Sequence, residues 1–259
     1  MKRSCFFTLL LLGLSCQLSF GQLLRRDFLQ EISLGVNGGL NFTKNSFLPN
    51  MNDHLYELGD QSLWKGSRFG FVFRYIHRSH FGIQAEANYV QAGWLEKFHE
   101  DSGVSMVNGF DMQDVTLSRR LEYWDFPILA HIYFGNRRLR FIVNLGPEIR
   151  CMKKYGDVKW NIPENDERKN AFNVIDPRFM NEYHKVDYGL TGGGGFDFQL
   201  AKWIHLLVEC RYSFGFGDLY DNSKADLFQR SNNHMLGLMG SVMIPIVTFK
   251  ENKTANREE

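Results

Sequence analysis

Apolar and polar side chains alternate along most of this chain, and the alternation is cleanest between Val186 and Phe214. Val186, Tyr188, Leu190, Phe196, Phe198 and Leu200 take even positions, followed by Ile204, Leu206, Val208, Cys210, Tyr212 and Phe214. Asp187, Thr191, Asp197, Gln199, His205, Glu209, Arg211 and Ser213 take odd ones. A period of two places these sets on opposite faces of a strand. Ala201–Trp203 separates the two halves, so the stretch predicts a hairpin. Each of its strands has roughly a dozen residues, about twice the usual globular length and enough for a tilted membrane crossing.

The same period predicts Glu31–Thr43, Arg68–Ile76, Phe81–Ala92, Arg120–Phe134 and Leu139–Arg150 as strands before the hairpin, and His234–Phe249 after it. In Arg120–Phe134, Glu122, Asp125 and His131 are assigned to the polar face, opposite Trp124, Phe126 and Ile128. Pro127 cannot donate to a ladder, so a local bulge is expected there. Lys44–Lys65, Trp94–Ser118, Cys151–Lys185 and Gly215–Asn233 read as long loops, whereas His77–His80, Gly135–Arg138 and Ala201–Trp203 read as tight turns. Long and short connections alternate strictly. An up-and-down closed barrel collects all the long ones at one end, as outer-membrane barrels do. The fold class expected is all-β, an eight-stranded antiparallel up-and-down transmembrane β-barrel.

Which face points outward is decided by the cations. Every lysine beyond the leader lies in a loop, a turn or a strand end, whereas the mid-strand cations are Arg74, Arg140 and Arg211. A solvated exterior tolerates lysine, while a narrow lumen favours the planar guanidinium that pairs with carboxylates. The polar face is therefore read as the inside. Arg74, Glu86, Asp125, Arg140, Glu148, Asp187, Asp197, Glu209 and Arg211 are expected to form a structural lumen network, with His131 and His205 nearby. Eight strands enclose an interior that side chains just fill, so these charges are read as a paired plug rather than a conducting path.

Composition adds bounds. A chain of 259 residues suits one barrel domain, and a net charge of +1 gives no argument for a nucleic-acid partner. The start of the chain changes the picture more. Lys2 and Arg3, the apolar run Phe6–Leu14 and the small-residue site Ser19-Phe20-Gly21 predict a cleaved signal peptide over 1–21. The barrel is then expected over 22–250 and a periplasmic tail over 251–259, in the cell outer membrane, with membrane lipid as its first partner. Cys151 and Cys210 fall two strands apart and are read as unpaired thiols.

No catalytic, cofactor-binding or metal site is expected. Gly192–Gly195 lies inside an alternating strand, lacks a following helix and a Gly-Lys-Ser, and is read as a close backbone approach or bend rather than a phosphate loop. His99, Asp101 and Ser105 follow no catalytic spacing. Asp218, Asp221 and Asn222 do not have the spacing of a calcium loop.

Six segments carry a resemblance: GVNGGLNFT (35–43), FGIQAEANYVQAG (81–93), LEYWDFPILAHIYF (121–134), FIVNLGPEI (141–149), DYGLTGGGGFDF (187–198) and VECRYSFGFGDL (208–219). Trp124-Asp125-Phe126-Pro127 and the Glu-x-Arg-Tyr-Ser element at 209–213 are the most specific parts. Together these resemble the PorT-like outer-membrane β-barrel family of Bacteroidota. The resemblance implies a barrel of structural or interaction type, with envelope or secretion-machine proteins as partners and a place as a component or assembly factor of the type IX secretion apparatus. A small-solute porin-like barrel is the alternative, and an enzyme at the loop rim the third and weakest reading.

Overall fold

The computed structural model describes residues 29–49, 60–78, 80–98, 106–107, 109–136, 138–171, 184–219 and 228–250. The leader, the tail, and His99, Asp101, Ser105, Asp221 and Asn222 lie outside them. Eight long strands dominate: β1 (Leu29–Pro49), β2 (Trp64–Arg78), β3 (Phe81–Lys97), β4 (Thr116–Gly135), β5 (Leu139–Tyr155), β6 (Val186–Ala201), β7 (Ile204–Gly215) and β8 (Phe228–Lys250). Each pairs antiparallel with the next, and β1 pairs with β8 from Leu29↔Lys250 to Pro49↔Phe228, which closes the ring. Closure gives each of these eight strands a partner on both sides. The strands Asp60–Ser62 and Lys159–Trp160 extend the wall beside β3 and β4 at the long-loop end.

Burial follows the period of two, with its chemistry inverted. On β2, Phe71 is 72% exposed while Arg74 is fully buried. Leu34, Ile128, Leu145 and Val208 are exposed on other strands, opposite buried Ser33, Asp125, Asn144 and Glu209. A continuous apolar exterior of this extent far exceeds the few-hundred-Å² patches that soluble monomers expose. Lipid covers such a surface. Exposed aromatics mark both borders of the band: Phe69, Trp124, Tyr188 and Tyr212 toward the loops, and Phe134, Phe198 and Trp203 toward the turns. Aromatic rings favour the membrane–water boundary because one end is apolar and the other polarisable or polar.

The structure corrects several expectations. The strands outrun their predicted loop-side ends, so β3 continues to Lys97, β4 starts at Thr116, β5 reaches Tyr155 and β8 starts at Phe228. The described residues of Trp94–Ser118 do not form a polar loop: Trp94, Phe98, Met112, Val115 and Leu117 are buried together with Val90, Leu121, Tyr123 and Met235 in an apolar cap over the loop end of the lumen. Pro127 causes no bulge. Its register with Glu148 continues to Ala130↔Leu145, and the ladder only skips bridges there, because the missing N–H removes a bond without adding a residue. The register shift falls instead between Glu122 and Tyr123. Glu122 is also not a lumen residue; it shares parity with Trp124, faces outward and accepts from Arg120 Nη2 at 2.9 Å.

Candidate functional site

All nine residues of the expected lumen network point inward: eight are buried, and Asp187 is half-buried near the loop end. They form three clusters rather than one. The largest is built on Arg211 of β7. Its Nη1 donates to Glu86 Oε2 at 2.9 Å and its Nη2 to Glu86 Oε1 at 2.8 Å, while Nε and Nη2 donate to Glu209 at 3.0 and 2.9 Å. Glu86 is on β3, four strands from β7 in an eight-strand ring, so this fork spans the barrel from wall to opposite wall. Gln84 Nε2, Asn88 Nδ2 and Asn37 Nδ2 also donate to Glu86, at 2.7, 2.9 and 3.3 Å.

Toward the loops, Arg150 Nη2 lies 3.1 Å from Glu148 and 3.2 Å from Asp187, joining β5 to β6. Ser213 Oγ donates to Glu148 Oε2 at 3.0 Å, and the Gly217 amide donates to Asp187 Oδ1 at 3.1 Å. Arg68 of β2 pairs with Asp125 of β4. Toward the turns, Asp197 gathers Arg74 at 3.7 Å, Arg140 at 3.8 Å and His205 Nδ1 at 2.8 Å. Arg74 and Asp197 stand on β2 and β6, a second pair of opposite walls.

The sequence reading left Glu31, Arg68 and Arg150 out of the network. Each sits near a predicted strand end, where alternation no longer distinguishes a lumen residue from a rim residue. Their parity with Ser33, Arg74 and Glu148 was the available signal. Among the described buried residues there are six arginines and seven carboxylates and no lysine, so the interior is close to neutral. Near-balance allows buried charges to pair. Gly193 belongs to the same construction: a Cβ there would stand 2.5 Å from the Cys210 carbonyl oxygen and 3.0 Å from Glu209 Oε1. Among the described residues no group of three His, Cys, Asp or Glu side chains converges on a metal site, and Cys151 and Cys210 are both free.

A family model described as "Outer membrane protein beta-barrel domain" matches residues 20–221, most of the chain. The chain belongs to this family. The outer-membrane barrel is also similar to solved structures at low identity. The outer membrane protein OprG from Pseudomonas aeruginosa is 12% identical, with a TM-score of 0.44 over 86% of this chain and 98% of that one. Neisserial surface protein A is 11% identical, with a TM-score of 0.38 over 82% and 96%. Outer membrane protein W of E. coli is 14% identical, with a TM-score of 0.36 over 86% and 100%. No curated protein sequence matches significantly.

Proposed function

We propose that this outer-membrane barrel acts as a closed scaffold, a rigid anchor that presents its loops and side wall to other envelope components. The observation that carries this reading is the Arg211 fork, which ties β7 to Glu86 on the opposite wall and fills the middle of the lumen. A diffusion pore needs an interior that side chains leave open, and eight strands give little spare width. The resemblance of the strand motifs to the PorT-like barrels of Bacteroidota supports a partner class: the chain serves as a component or assembly factor of the type IX secretion apparatus. In this reading residues 1–21 are removed on export and residues 251–259 stay in the periplasm.

A gentle detergent pull-down of the tagged protein from its own outer membrane, followed by mass spectrometry, tests the partner class. Secretion-machine subunits are expected in the eluate; recovery of the barrel alone counts against that role.

One observation favours small-solute transport as a second reading. Asn41, Asn45 and Asn233 are buried with both amide atoms unpartnered, and the Arg74 guanidinium makes only ion pairs longer than a hydrogen bond. Buried polar atoms of this kind are ordinarily satisfied by water, and a hydrated thread past the fork would pass small solutes. Planar-bilayer conductance separates the two readings.

A further inference from the structure

The register shift between β4 and β5 has a consequence on the outside of the barrel. Tyr123 opposes Met152 and Glu122 opposes Lys154, so Lys153 is the extra residue of a bulge. A bulge re-aims side chains by breaking the strict alternation. Lys154 opposes outward-facing Glu122 and Lys153 continues the outward parity of Ile149, so two consecutive lysines leave the same side of the wall, both exposed. The Lys153 ammonium lies 4.9 Å from the centroid of the Tyr89 ring and 5.6 Å from that of Trp124. Those rings meet edge to face at 5.7 Å. Arg120 stays 46% exposed beside them while donating to Glu122. Three cations against one carboxylate leave this patch positive, at the level where the apolar band ends.

Immediately below Tyr89 on the same strand the outward residues are Ala87 and Ala85. With Phe71 and Phe73 of β2 and Leu34 of β1 they line an apolar groove of about 330 Å³. Bulky residues dominate the rest of the band, so the two alanines make a slot in the lipid-facing wall. The slot ends two residues along β3 from Tyr89, the ring that Lys153 covers.

We propose that this combination is a binding site for a phosphorylated glycolipid of the outer leaflet. Lys153, Lys154 and Arg120 take the phosphate, the Tyr89 and Trp124 rings border the sugar, and one acyl chain lies in the Ala85–Ala87 slot. Charge complementarity selects the headgroup, and the ring edges suit the boundary at which a sugar meets its acyl chains. The assignment rests on the outer-membrane reading with the long loops facing the exterior.

The test is native mass spectrometry of the refolded full-length barrel in detergent, offered bis-phosphorylated lipid A, dephosphorylated lipid A or phosphatidylglycerol. The wild type should retain the phosphorylated glycolipid over both others. In a Lys153→Gln/Lys154→Gln variant its dissociation constant should rise roughly thirtyfold, about fivefold for each cation removed near the headgroups. Ala87→Phe fills the slot and should weaken phosphorylated and dephosphorylated forms alike. Equal retention of the two lipid A forms by the wild type overturns the site, as does an undiminished preference in the lysine variant. Equal retention of phosphatidylglycerol overturns the glycolipid assignment. Heat-shifted gel mobility reads barrel folding separately, so a failed site leaves that shift intact, whereas a failed barrel abolishes it.

Discussion

Arg211→Ala is the sharpest perturbation of the lumen. It removes four charge-assisted hydrogen bonds of 2.8 to 3.0 Å and leaves Glu86 and Glu209 facing each other without their shared cation. Both acids are at most 6% exposed, so water screens them poorly. Breaking a buried pair by deleting one member costs about 3–5 kcal/mol. Gln84, Asn88 and Asn37 still donate to Glu86 after the change, which places the expected loss near the lower end, about 3 kcal/mol. Glu86→Ala should cost less, because Arg211 keeps its two bonds to Glu209. Arg211→Lys should recover only part of the loss, since one ammonium cannot fork across two carboxylates. Urea unfolding of barrels refolded in vesicles, followed by tryptophan fluorescence, reads these differences. A double-mutant cycle between positions 86 and 211 should give a coupling of about 2 kcal/mol. Stability of Arg211→Ala within about 0.5 kcal/mol of wild type, the range of an inert surface change, would refute the strut argument, as would a strictly additive cycle.

Gly193→Val should destabilise the barrel by about 1–3 kcal/mol in the same urea assay, because the new side chain meets the Cys210 carbonyl and Glu209; an unchanged midpoint contradicts the close approach. Among single-tryptophan variants, Trp124 should be quenched strongly by brominated lipid and Trp94 hardly at all, since the first faces outward and the second is wholly buried in the loop-end cap. Comparable quenching of the two would mean the faces are assigned wrongly. In the long loop after β5, hydrogen bonds from the Arg168 side chain hold the Asp166 carboxyl down at about 2. A depressed carboxylate contributes order above its ordinary value and loses it as pH falls toward the folded one. The Asp166 resonance should accordingly titrate near pH 2 by NMR and return to the ordinary aspartate range in Arg168→Ala; identical titration in both proteins contradicts the contact.

Strand number, order and face were legible because the lipid and the lumen impose opposite chemistry on alternate residues for ten or more positions. Phe71 against Arg74 and Val208 against Glu209 carry that contrast unambiguously. The signal fails where the inward environment turns apolar. From Ala92 to Leu95 both faces of β3 carry apolar or small residues, because the inward ones pack under the loop-end cap, and a period of two vanishes into what reads as loop. Glu122 shows the opposite error: its chemistry suited the lumen, but its parity with Trp124 put it outside, and parity is the physical constraint. The bulge at Lys153 was invisible because an extra residue among Cys151, Met152, Lys153 and Lys154 leaves no mark in hydrophobicity; only the cross-strand register reveals it. Partition of the lumen charges into three clusters depends on which strands stand opposite, which follows from ring closure rather than from any local segment.

The central claim is that a side-chain strut closes the lumen, and steady-state conductance in a planar bilayer tests it most directly. The wild type should insert, as judged by heat-shifted mobility of the same preparation, and carry no stable ohmic current. Arg211→Ala should show current where the wild type shows none. A stable open conductance in the wild type would contradict the closed-scaffold account and make the barrel a transport pore.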